Sequence, residues 1–278
     1  MGTSSAYGGP GGGTPLVPSW LTDQGNGAPP DGAAPGVPLP QPLPRPSEPN
    51  RFSAARGNFS RFASSGGRDR ASLGRAVSHY VSTAAGGSRT AATRMGASRG
   101  AGSRLLGFLS DAVARGPLEA LRSRDLEHLA GRPVEELFIG LADYVCPDGG
   151  TVDEGIARDA FIETIVDLAV EGITDLDSLT ADQMQTVFEL YATNAIEGRL
   201  CNDIGGKAVM LPRDAREANS VLAQLHDFVR RGVADALAGA RAVTQALTSD
   251  NVLPFVERVY QQAFEILQIL GDAEAQPV

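Results

Sequence analysis

The chain has 278 residues, 42% hydrophobic and 21% charged, with 33 Gly, 18 Pro, 2 Cys and a net charge of −9. Cys146 and Cys201 lie far apart, with no Cys-x-x-Cys and no nearby His pair, which argues against a disulfide framework or a zinc site. No apolar run approaches the roughly 18 residues that a membrane span needs, and the opening Met-Gly-Thr-Ser-Ser-Ala lacks the basic and apolar regions of a signal peptide, so a cytoplasmic chain away from membranes is expected.

Composition is uneven. Twelve of the 18 prolines precede residue 50, and glycine crowds the same stretch. Such a segment has too little apolar surface to offset the entropy of ordering it, so residues 1–65 are expected to form a disordered tail. Within it, Leu16-Val17-Pro18-Ser19-Trp20-Leu21 is an apolar island holding the single Trp of the chain. It reads either as a chance cluster or as a docking motif, since Trp is a common binding anchor. Charge divides along the chain as well. Residues 1–110 carry 11 Arg and 4 acids, whereas residues 111–278 carry 13 basic and 29 acidic residues. A basic arm therefore precedes an acidic body.

Residues 66–103 are rich in Gly, Ser and Arg and are expected to be a partly helical linker. Leu73, Val77, Tyr80 and Val81 have the spacing of about two helical turns, ended by Gly86-Gly87. Its arginines (Arg68, Arg70, Arg75, Arg89, Arg94, Arg99) and Arg104 just beyond suit a salt-dependent contact with nucleic acid. Few aromatics are interleaved for base stacking, which disfavours that reading, and a contact with acidic surface of this chain or of a partner stands beside it.

From residue 104 to 278 the pattern is that of an acidic all-α domain of six to seven helices. Leu105, Leu106, Leu109 and Val113 mark one helix, stopped near Gly116-Pro117. Leu118, Leu121, Leu126 and Leu129 suggest a second. A third opens at Pro133, carries Leu137, Phe138, Leu141 and Val145, and ends before Pro147. Thr151 with Glu154, and Thr180 with Gln183, are capping-box signatures. The first begins a helix reaching about Glu171, with Ile156, Phe161, Ile162, Ile165, Val166 and Leu168 on its apolar face. The second begins a helix through Met184, Val187, Phe188, Tyr191 and Ile196. Residues 202–212 form the candidate functional loop. A long helix over 213–247 is weakened at Gly232 and Gly239, and the last helix presents Val252, Phe255, Val256, Val259, Tyr260, Ala263, Leu267 and Leu270.

Catalytic patterns are weak. His79, His128 and His226 are not spaced as metal ligands. Gly205-Gly206-Lys207 fails as a phosphate loop, with Cys at 201 and Ala at 208. Neither a nucleophile elbow nor a dinucleotide fingerprint occurs, so no enzymatic activity, no metal and no cofactor are expected of this chain alone. The N-terminus differs. Removal of Met1 would free the amine of Gly2, and Thr3, Ser4, Ser5, Ala6, Tyr7, Gly8 and Gly9 form a thin thread able to enter a narrow active site. Ala6 breaks the myristoylation pattern.

Met1-Gly2-Thr3-Ser4-Ser5-Ala6-Tyr7-Gly8-Gly9-Pro10, continuing to Trp20-Leu21, resembles the opening of QatB-type proteins of bacterial Qat anti-phage defence systems. The resemblance implies an operon that also encodes an ATPase, a QueC-like enzyme and a TatD-like nuclease. QueC-like enzymes use ATP to activate a carboxylate for attack by nitrogen. By this resemblance the chain is expected to be a substrate and scaffold subunit. Gly2, Thr3, Ser4, Ser5, Tyr7, Gly8 and Gly9 would enter the QueC-like partner, and Trp20 would anchor nearby. The alternatives are a nucleic-acid-binding adaptor using the arginine zone and a purely structural helical adaptor.

Overall fold

The computed structural model describes residues 50–147, 149–205, 211–240, 247 and 251–276. Among them are ten α-helices and no strand: α1 (Ser53–Ser64), α2 (Arg70–His79), α3 (Ser88–Thr93), α4 (Gly96–Arg115), α5 (Pro117–Arg122), α6 (Val134–Val145), α7 (Val152–Val170), α8 (Ala181–Ile204), α9 (Ala215–Ala238) and α10 (Val252–Ala275). The all-α class read from the sequence holds, and α4 to α10 meet the six to seven helices expected from residue 104 onward, with α1 to α3 as a surplus.

The surplus comes from residues that composition assigned to tail and linker. The helices belong to one compact unit spanning Pro46–Val278, so its boundary lies well before residue 104. In α1, Ala55, Phe59, Phe62 and Ala63 are buried, at the three- and four-residue intervals of one helix face. In α2, Leu73 and Val77 are buried, followed by Tyr80 and Val81 in a π-helical turn, Tyr80–Ala84. Gly86 and Gly87, both at positive φ, end that segment as expected.

These N-terminal helices are held by the other end of the chain. α10 packs on α2, and also on α3, α4 and α9. Where α2 and α10 cross, glycine faces glycine. A Cβ on Gly74 would lie 2.6 Å from the carbonyl oxygen of Gly271, and a Cβ on Gly271 would lie 2.6 Å from that of Gly74. The missing side chains allow backbone to touch backbone. Beside the crossing the Ser78 hydroxyl donates to Asp272 at 2.5 Å, and Arg70 pairs with Glu274 at 3.1 Å.

The remaining helices follow their sequence signals, with instructive departures. Both capping boxes form: the Thr151 and Thr180 side chains accept from the backbone N–H groups of Glu154 and Gln183. Asp153, in the first turn of α7, accepts from the Ala97 N–H at 2.7 Å and so caps α4. The helix expected over Leu118–Leu129 stops at Arg122, and Asp125 takes a positive φ of 58° before a 3-10 turn at Glu127–Leu129. On α7, Ile156, Phe161, Ile165 and Leu168 are buried, but Ile162 and Val166 are exposed. Apolar residues are spread around the axis of that helix among charged ones, so periodicity could not say which side faces in. The long helix expected over 213–247 ends at Ala238, capped by Gly239. α8, buried over most of its circumference, packs against α7, α9 and α4 and forms the centre of the body.

Candidate functional site

The residues singled out in the sequence, Gly2, Thr3, Ser4, Ser5, Tyr7, Gly8, Gly9 and Trp20, lie outside the described residues. So do residues 206–210 of the candidate loop. What the structure supplies is the root from which the N-terminal segment departs and the surfaces of the body that carries it.

The root is fastened by aromatic and charged contacts. Phe52, just before α1, stacks on Tyr80 with ring centroids 6.2 Å apart. The guanidinium carbons of Arg51 and Arg56 lie 4.6 and 5.2 Å from the centre of the Phe52 ring, a cation–π arrangement. Tyr80 donates its hydroxyl to the Asp203 carboxylate at 2.9 Å, which Arg199 also contacts through Nε at 3.1 Å. Arg56 donates to the Asp203 carbonyl at 2.8 Å. Burial, and then the Asp203 charge, pushes the Tyr80 phenol well above its ordinary range, so it stays a donor. The nearby Arg94 guanidinium is shifted down, first by burial and then by Arg51. The first residues of the candidate loop thus meet the root of the tail: Asp203, expected in a loop, sits in the last turn of α8 and ties α1 and the π-helical turn to it.

Much of the arginine zone is engaged by this chain itself. Arg70 pairs with Glu274, Arg99 pairs with Glu257 at 2.8 Å, and Arg75 donates to the carbonyl of Ala275 at 3.4 Å. Arg104 donates to the carbonyl of Val145 at 2.8 Å. Arg68, Arg70 and Arg89 are exposed. The basic arm is therefore spent mainly on this chain's own carbonyls and on the acidic α10. That is the intramolecular contact weighed above, and it takes from the nucleic-acid reading most of the charges it needed.

Among the described residues no three His, Cys, Asp or Glu side chains converge as a metal site, and no helix is long and apolar enough to cross a membrane. His79 and His128 are exposed. His226 lies on α9 with Nδ1 2.9 Å from Glu197 of α8. The hydrogen bond to Glu197 raises its pKa, against the opposing effect of burial. Cys146 and Cys201 are both free thiols, and burial pushes them up to about 11 and about 12.

Comparison with known proteins places this architecture. No curated protein and no solved structure matches the chain. The family model described as "Qat anti-phage system associated protein QatB" matches residues 86–267, from the Gly86-Gly87 turn to the buried Leu267 of α10. That span exceeds half of the 278 residues and takes in α3 through most of α10. With the helices, their packing and this match in agreement, the chain belongs to the QatB family of Qat anti-phage system components.

Proposed function

We propose that the chain is a non-enzymatic substrate and scaffold subunit of its defence system, whose N-terminal peptide is bound and modified or processed by a QueC-like, ATP-dependent partner. The observation that carries this reading is the amine inventory. Of the 24 basic residues only Lys207 is a lysine, so after loss of Met1 the chain offers two amines, that of Gly2 and that of Lys207. An α-amine of pKa about 7.9 is roughly one-quarter unprotonated at pH 7.4, whereas a lysine of pKa about 10.4 is about a thousandth unprotonated. An enzyme that activates a carboxylate for attack by nitrogen therefore finds its nucleophile at Gly2. The amine would form an amide with the activated carbon, lose its proton, and expel the activating group. The neighbours of Gly2, all small apart from Tyr7, leave the thread narrow enough to enter a pocket.

The scaffold half of the proposal draws on the fastened root. From Gly2 to Asn50 the chain can reach at most about 160–170 Å at roughly 3.3–3.6 Å per residue. A body docked beside the partner could thus supply its own N-terminus to the partner's catalytic pocket, with Trp20 as an intermediate anchor. Intact-mass measurement after co-expression with the QueC-like partner tests this. A mass change that maps to the first residues and disappears when the partner is catalytically dead is the expected result. An unchanged N-terminus, together with full defence by a Gly2-blocked variant, would refute it.

A further inference from the structure

α8 packs against α7 on one flank and α9 on the other. Between these two outer helices, above α8, runs a groove of about 340 Å³. Its walls are aliphatic: Val166 of α7 is 66% exposed and Leu222 of α9 is 38% exposed. The α7 wall continues through Ile162 and Val170, 49% and 83% exposed. Three aliphatic side chains spaced by four residues form one stripe along a helix. Scattered exposed aliphatics are ordinary, whereas a stripe beside a groove marks an interaction surface.

The rest of the lining is acidic. Glu163 and Asp167 of α7 and Glu197 of α8 face the groove, with His226 opposite. Asp167 accepts a hydrogen bond from Asn194 at 2.8 Å, and Glu197 is engaged by His226 at 2.9 Å. Arg230, one turn beyond His226, is committed to Glu171 and Glu189 at 2.7 and 3.0 Å. Three carboxylates thus share one titratable cation within an apolar frame. Burial, and then the neighbouring Glu197, Asp167 and Asp159, push the Glu163 carboxyl upward, the sign of a crowded negative site.

We propose that this groove docks a basic amphipathic segment of another component of the same defence system. Its aliphatic side chains would rest against Val166 and Leu222, and at least one Lys or Arg would lie among Glu163, Asp167 and Glu197. This is the helix-in-groove mode of recognition with a charge filter added. A second copy of this chain is disfavoured as occupant, because pairing two α7 stripes would set Glu163 and Asp167 against the same carboxylates of the other copy, and such like-charge juxtaposition is repulsive. The inference rests on membership of the Qat system and is independent of the reading of the N-terminal peptide.

The test is affinity capture of the tagged full-length chain co-expressed with the other proteins of its system. The double variant Val166→Glu/Leu222→Glu, and separately Glu163→Lys, should each lower recovery of one partner at least tenfold. Circular dichroism and Tm should stay close to wild type, since Val166 and Leu222 are exposed and Glu163 lies at the open groove. Recovery by the wild type should fall as salt rises from 0.1 to 0.5 M, and deletion of residues 2–21 should leave it in place. The proposal is overturned if the groove variants capture as much partner as wild type, or if no component is captured at all. It is equally overturned if light scattering finds the wild type dimeric and the double variant monomeric, which would make the face a self-contact. Loss of capture on deleting residues 2–21, with the groove variants unaffected, would sink the groove while sparing the N-terminal reading.

Discussion

Substituting Gly74→Ala puts the α2–α10 crossing under direct test. In an isolated helix this change is favourable by up to about 1 kcal/mol. In this structure the new Cβ would lie 2.6 Å from the Gly271 carbonyl oxygen and 3.0 Å from the Cβ of Glu274. The first obstacle is backbone and cannot rotate away, so the helices must part until the 2.6 Å approach reaches the 3.4 Å at which ordinary contact begins. Overpacking of this kind costs about 1–3 kcal/mol, which leaves a net loss of up to about 2 kcal/mol once helix propensity is credited. At roughly 2–4 °C per kcal/mol for a domain of this size, Tm should fall by up to about 8 °C. Gly107→Ala is the internal control: it lies within α4, and its added Cβ would meet nothing within 4 Å. It should raise Tm by about 2–4 °C through propensity alone. Scanning calorimetry of both variants decides the matter. If Gly74→Ala stabilises as Gly107→Ala does, the close crossing is absent and the attachment of α2 to α10 must be redrawn.

Three further outcomes can be checked independently. The His226–Glu197 pair contributes fully below the unfolded histidine pKa of about 6.5 and fades as pH rises through the raised folded value. His226→Gln should therefore cost about 0.2–1 kcal/mol in urea unfolding at pH 6 and less at pH 8.5, and an equal or larger cost at pH 8.5 would contradict the pairing. Thr180→Ala removes the cap of α8 and should cost about 0.5–2 kcal/mol, read as an earlier urea midpoint with unchanged slope. Both thiols are held far from their reactive form, so a thiol reagent at pH 8 should label the folded chain slowly and modify both cysteines promptly once urea unfolds it.

Where local chemistry sets an element, the sequence could be read directly. Thr151 with Glu154 and Thr180 with Gln183 started helices as their capping boxes required. Gly86-Gly87, Gly116 and Pro147 marked helix ends, and the buried face of α10 followed its apolar spacing, with Phe264 in addition and Leu270 only half-buried. Residues 53–103 were harder because they pack through Gly, Ala and Ser, whose closeness is worth much in a core and whose composition is that of a linker. Phe52, Phe59 and Phe62 carry a helical interval, set among Arg and Gly residues whose composition is that of a linker. The groove could not be read at all, since α7, α8 and α9 contribute separate parts of it and only their packing brings Val166, Glu197 and Leu222 together. Of the N-terminal thread, the amine count was available from the sequence, and Gly2 to Trp20 lie outside the described residues.

The glycine crossing has a consequence for how the chain is made. α2 leaves the ribosome well before its main packing partner, α10. At about 5–20 residues per second, the roughly 170 residues between them take about 10–35 s to synthesise. During that time α2 lacks the surface that secures it, and such a distant pairing is slow to close in its own right. The N-terminal segment is therefore mounted on a finished support only once α10 has been made. A truncated or damaged chain lacking α10 would expose Gly2 without the intact α2–α10 support that holds its root in place.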